Sequence, residues 1–447
     1  MLDRYSLPVM RELWSEQNKW SMMNRVELAF IFAKAELGLL PKSLFDAFSR
    51  NVKVPVARIE EIEKETGHDV IAFVKTAQES LRTAGIAEYG EYHKGVSSYP
   101  VQDPTNILRL RQANAYIVQE LAALASTLTK IAIAHKWTLT MAYTHVQDAE
   151  PTTFGHLVAN YAKQISARIH KLHAIDEENL CWANLGGAVG TFAGLDPKVC
   201  ELTAENLGLK LALSTQIISR DNHAEFINEL AVIAGVIEEI HRTLHIRMHS
   251  AIHELQEGKS KTYRGSSAMA HKVNPNLTEQ LFGLARVMRG YALVAQENIE
   301  TIDYRDISQS APERIIFPDA TSLIHYMIVK ARKLAEGLVV FQDQMNKRVN
   351  EGSLGVWATQ PVRLSLMDAG VPYDDAYLYA QACAFKSVSE NRHMLEVMSE
   401  KPISESDART ALDVLGEEKL ASSFNALSYI EDGIKYCFQL AFPCLKE

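Results

Sequence analysis

LRQANAYIVQELAALASTLTKI, residues 110–131, decides the class of fold. Its apolar side chains Leu110, Ala113, Ile117, Leu121, Leu124, Leu128 and Ile131 follow one another at steps of 3, 4, 4, 3, 4 and 3. Alternating steps of three and four hold them on one narrow stripe of a helix, the seam of long helices packed at a shallow angle. Phe226, Leu230, Ile233, Ile237, Ile240 and Leu244 repeat the pattern, and Leu323, Met327, Leu334, Leu338 and Phe341 continue it. No proline stands between Pro104 and Pro151, Pro197 and Pro275, or Pro318 and Pro361, so each stretch permits a long helix. Strand signals are few and short. The expectation is an all-α fold with a central bundle of long helices.

Three regions follow from the punctuation. Residues 1–95 hold shorter helices and run into the Gly- and Ser-containing EYGEYHKGVSSYP. Residues 96–350 hold the long helices, and residues 351–447, opening on EGSLGVW, form a smaller C-terminal helical region. In a chain of 447 residues this division agrees with the usual domain length of roughly 100–200 residues.

Lys plus Arg number 46 against 55 Asp plus Glu, a formal charge of −9, which argues against a general nucleic-acid binder. A few arginines in one pocket can still reverse the local sign, so anionic substrates stay open. Cys181, Cys200, Cys383, Cys437 and Cys444 form no Cys-x-x-Cys pair, which fits neither a disulfide framework nor a zinc site and suits a reducing, cytoplasmic compartment. The N-terminal MLDRYSLPVMREL carries charges where a secretory segment would be apolar, and no run of about 18 uncharged apolar residues predicts a membrane span.

Function must come from polar residues between the stripes. GSSAMAHKVNPNLTE, Gly265–Glu279, follows the polar, Gly- and Lys-containing QEGKSKTYR, which reads as a mobile loop. It delivers two serines, Lys272 and Asn274 to a helix that Pro275 can open, an arrangement suited to anions. Composition alone leaves an ordinary loop and helix cap as the alternative.

The run G-S-S-x-M-x-x-K-x-N-P resembles the catalytic-loop signature of the fumarase/aspartase superfamily. Thr144–His145 with AEPTTFG (149–155), HKGVSS (93–98), STQIISRDNHAEF (214–226) and YRDISQSAPERI (304–315) add matches in the same order. DRYS near the start and GHDV (67–70) are similar to the adenylosuccinate lyase branch. The resemblance covers nearly the whole chain and is weakest in the last 90 or so residues. It implies a β-elimination that releases fumarate from adenylosuccinate, leaving AMP, and from the succinylated aminoimidazole carboxamide ribotide of purine synthesis. It implies no metal or organic cofactor, and a homotetramer whose sites draw residues from three subunits.

By the same resemblance Ser266 is the base, His145 the general acid, Glu279 its carboxylate partner, and Lys272 and Asn274 hold the succinyl carboxylates. Ser97, Ser98, Gln216 and Ser267 complete that pocket. Arg4 and Tyr5 match a pair that touches the nucleotide; Arg305, Ser310 and Arg314 match residues that bind its phosphate. His68, Asp69 and His93 match further substrate contacts. Departures are Gly67 and Val273 in place of arginines, Ala270 for a proline, Tyr143 for an arginine, Ser97 for a threonine, Tyr99–Pro100 for Thr-Asp, and Asp148 for a histidine. They leave two rival readings: a paralogue acting on another N-substituted succinate, or a non-catalytic nucleotide binder.

Overall fold

The structure, a computed structural model, describes residues 2–260, 262 and 264–443, so Cys444 lies outside the described residues. Among these the chain is all-α apart from three two-stranded sheets. The longest helices are Tyr99–Ala134, Phe154–Glu178, Asp221–Arg247, Asn276–Glu297 and Ser310–Glu336.

The chain divides into two compact units. The first takes Met1–Ala123, Ile165–Glu239 and Glu279–Ala331; the second takes Leu124–Gln164, Ile240–Thr278 and Arg332–Glu447. In the first, the expected stripes are core: Leu110, Ala113, Ile117, Leu121, Phe226, Leu230, Ile233 and Ile237 are all 0% exposed. Polar ties between the helices flank this seam. Arg111 donates to Asp176 at 3.0 Å, Arg168 to Glu229 at 3.2 Å and Arg289 to Glu238 at 2.9 Å. The second unit has its own core, built from Met141, Val349, Val362, Leu366, Tyr379, Met394 and Val397.

Three features refine the sequence reading. Pro104 and Pro318 lie inside helices, each of which gains its first turns upstream of the ring. Leu338 and Phe341 fall beyond the last long helix: it ends at Glu336, and Val339–Val340 pairs antiparallel with Leu255–Gln256. Gly258 permits that pairing, since a Cβ there would stand 2.2 Å from the Gly337 carbonyl oxygen. Finally, Tyr99–Ala134 is long and apolar enough by composition to cross a membrane. Glu120 and Lys130 interrupt the stretch, so it holds no uncharged run of about 18 residues. Its apolar stripe is buried from Leu110 to Leu128, so one side of the helix packs in the core.

Candidate active site

In the second unit, strands Leu139–Thr144 and Gln147–Thr153 form an antiparallel hairpin whose loop is His145–Val146. Both loop residues have positive φ, 53° and 59°, the signature of a tight type I′ turn. Asn-Gly favours that turn; a β-branched valine is strained in it. The turn holds His145 out into solvent at the hairpin tip. Below it the hairpin is pinned: the Arg247 guanidinium donates to Thr140 Oγ1 at 2.7 Å, to the Met141 carbonyl at 3.1 Å and to Glu254 at 2.5 Å. Asp148, which stands where the resembled pattern has a histidine, takes Arg348 at 2.6 Å. We predict that Val146→Gly raises stability by about 1 kcal/mol, the cost of a left-handed L-residue. Chemical denaturation measures it; an unchanged or lower stability would show the turn to be unstrained.

The Gly265–Glu279 segment is held at its base. Glu257, buried, accepts from Thr278 N at 2.8 Å and Thr278 Oγ1 at 2.7 Å, so it caps the start of Asn276–Glu297 from outside the helix. It also pairs with Lys259 at 2.7 Å, whose Nζ donates to the Asn274 carbonyl at 2.9 Å. Asn274 Nδ2 donates to the Gly265 carbonyl at 2.8 Å, closing the loop on itself. Within it, Ser266 Oγ accepts from the backbone N–H of Ala268 at 3.3 Å and of Met269 at 3.0 Å. Two amide dipoles aimed at one hydroxyl oxygen stabilise negative charge on it. Ser267 and Lys272 are exposed beside it. Among the described residues of this unit, neither Ser266 nor Lys272 hydrogen-bonds to His145.

The first unit holds the residues that the resemblance assigns to the nucleotide. Arg305 donates to Gln216 Oε1 at 2.6 Å and stacks 4.1 Å over the Tyr99 ring. Tyr99 also accepts from Gln309 at 3.2 Å and has the Ser310 hydroxyl beside its phenol, which burial pushes up from the ordinary tyrosine value. Arg314 donates to Asp69 at 2.9 Å. His68 caps Asp69–Thr83, its Nδ1 accepting from Ile71 N at 3.4 Å. Before it stands Gly67, whose φ of 64° closes the preceding helix in the left-handed region. Glycine enters that region without steric cost, so a backbone requirement explains the first missing arginine. Nothing in the structure explains Val273.

His93 meets buried Glu27 at 2.5 Å, and Ser97 and Ser98 are half-buried ahead of Tyr99–Ala134. Tyr5 packs edge-on against Tyr326 with ring centroids 5.4 Å apart, and Arg4 is exposed. Neither joins the Arg305–Tyr99–Gln216 group. Glu279 is exposed in the first turn of its helix.

Sequence reading missed the buried support. Arg220 forms a fork to Asp103, with both contacts at 2.9 Å, and meets Glu313 at 2.7 and 3.2 Å. Asp103 and Glu313 lie near the starts of the helices that carry Tyr99 and Ser310. Burial, with Asp103 adding and Arg220 opposing, pushes the Glu313 carboxyl up to about 7. Its folded value exceeds the unfolded one of about 4.3, so its contribution to stability is full below that unfolded value and is lost as pH rises through about 7. We predict that Glu313→Gln is more stable than the parent at pH 8, by about 1–3 kcal/mol, and gains nothing at pH 4. Denaturant midpoints across that range measure it, and equal slopes for both proteins would refute it.

The sequence profile of the lyase family matches residues 6–290. Adenylosuccinate lyase from Thermotoga maritima is 36% identical over 401 residues, spanning 90% of this chain and 92% of that protein. The Bacillus subtilis adenylosuccinate lyase is 37% identical over 388 residues, spanning 87% and 89%. Among solved structures, a fumarate lyase from Mesorhizobium sp. BNC1 superposes with a TM-score of 0.86 at 22% identity, covering 98% of each chain. A 3-carboxy-cis,cis-muconate lactonizing enzyme from Pseudomonas putida gives 0.86 at 25% identity, covering 98% of this chain and 97% of that one. The last two carry the fold alone; the profile and the two bacterial relatives place this chain in the lyase family, within the fumarase/aspartase superfamily, as a carbon–nitrogen lyase.

Proposed function

We propose that this lyase splits adenylosuccinate into AMP and fumarate, and acts in the same way on the succinylated aminoimidazole carboxamide ribotide. The observation that carries the chemistry is the Ser266 hydroxyl under two backbone amides. Ser266 removes the proton from the carbon next to a succinyl carboxylate. The charge spreads into that carboxylate, which Lys272 and Asn274 stabilise with Ser97, Ser98, Gln216 and Ser267. The carbon–nitrogen bond breaks and His145, paired with Glu279, protonates the departing nitrogen. Arg305, Ser310 and Arg314 take the phosphate; Arg4, Tyr5, His68, Asp69 and His93 contact the rest of the nucleotide.

The same proposal includes a cytoplasmic homotetramer, three domains at 1–95, 96–350 and 351–447, and sites completed by neighbouring subunits. Exposed Val232, Val287 and Leu293 on the long helices support it, since apolar side chains there would be covered by further copies. The loss of an arginine at Val273 favours a second reading, a paralogue with another N-substituted succinate.

A fumarate-detection assay over a panel of succinylated amines decides between them. Release from adenylosuccinate supports the main reading. Release from other amines but none from adenylosuccinate supports the paralogue, and tight nucleotide binding without turnover supports a binding protein.

A further inference from the structure

A cavity of about 150 Å³ in the first unit has Ser310 and Arg314 in its wall. Arg109 lines it too, yet is only 5% exposed. Its Nε donates to the Leu13 carbonyl at 3.2 Å, and its guanidinium lies 4.3 Å over the face of Trp14. The other two cations in the wall are already answered. Arg314 reaches Asp69 at 2.9 Å, and Lys19 reaches Glu16 at 3.3 Å and Asp69 at 3.9 Å. Glu313, the remaining acid, is held by Arg220. Among the described residues Arg109 has no carboxylate in ion-pair reach; Glu16 acts on it only at longer range. Burial accordingly pushes its guanidinium down to about 10, still charged at neutral pH.

A buried cation without a counter-charge is costly unless an anion arrives. Trp14 covers one face and Leu13 uses one N–H, which leaves the terminal fork of donors. That fork matches phosphate oxygens in pairs. We propose that Arg109 is a specificity-determining residue that takes the substrate's phosphate in the cavity lined by Ser310 and Arg314. The inference rests on the phosphate role given to those two residues above. Its position on Tyr99–Ala134, 201 residues before Ser310 in the chain, is why no local motif announces it.

The test is steady-state fumarate release by full-length Arg109→Met and Arg109→Lys with adenylosuccinate and with its nucleoside, which lacks the phosphate. Arg109→Met should raise KM for the nucleotide about 10- to 100-fold, the value of one charge-assisted hydrogen bond, with kcat within a few-fold. Arg109→Lys should fall between, and kcat/KM for the nucleoside should not move. An equal loss for both substrates would make Arg109 a brace for Trp14 and overturn the inference, as would an unchanged KM. If the parent protein releases no fumarate from adenylosuccinate, the substrate reading fails separately. Calorimetric titration with AMP then judges Arg109: binding weakened at least tenfold in Arg109→Met upholds its role, and equal binding or none by either protein refutes it.

Discussion

Ser266→Ala is expected to lower kcat for fumarate release by about 10³-fold or more, within or beyond the range for a positioned general base, while leaving KM within a few-fold. The methyl group removes the only atom that could accept the carbon-bound proton at this position. It keeps the loop, because the base of the segment is held by Glu257, Lys259 and Asn274. The hydroxyl's own contacts are two amides at 3.0 and 3.3 Å, one near the long end of the hydrogen-bond range, so the folding cost is small. His145→Ala should cost a similar factor, and the double variant little more than either alone, since residues acting as one unit are not additive. Initial rates followed by fumarate absorbance measure all three. A Ser266→Ala variant that keeps a tenth of the parent rate would move the base elsewhere, with Ser267 the first residue to examine.

The long helices were legible because a stripe that alternates three and four has only one physical meaning. The reading failed where apolar residues continue through a change of structure. Leu338 and Phe341 keep helical spacing across Gly337, but the glycine ends the helix and the next residues pair as a strand. The candidate residues of the loop are visible for another reason: Ser266, Lys272 and Asn274 are close in sequence, so a motif records them. Asn274 shows the limit, since its amide closes the loop on Gly265 as well as matching a substrate contact. The buried supports leave no such record. Asp103 and Arg220 are 117 residues apart and Glu313 a further 93 along, so each looks like an isolated charge beside an apolar run. The resemblance gives His145 the acid's role, but the strain at Val146 that presents it is visible only in the backbone angles.

Arg220→Met should destabilise the protein by about 3–5 kcal/mol, the cost of breaking a buried pair and leaving its partner charged. Here two partners are left. Arg220, with a side chain 1% exposed, is the only base contacting Asp103 and Glu313 among the described residues, and both acids are buried. It also donates to the Ile218 carbonyl at 2.7 Å, so the chain ahead of Asp221–Arg247 loses a tie as well. With the guanidinium gone, the two acids must share a proton, so the loss should shrink as pH falls and be largest above about pH 7. Adding Asp103→Asn and Glu313→Gln to Arg220→Met should recover part of the loss, because neutral amides can be buried where paired charges no longer are. Guanidinium denaturation at pH 6 and pH 8 measures the set; a loss below 1 kcal/mol at pH 8 would show the triad to be incidental. The consequence reaches the proposed site because Asp103 is four residues from Tyr99 and Glu313 three from Ser310. One buried guanidinium thus fixes two helix starts, and with them the spacing between Tyr99, which stacks on Arg305, and Ser310. The destabilised variant should therefore raise KM for the nucleotide at temperatures where it is still folded, ahead of any fall in kcat.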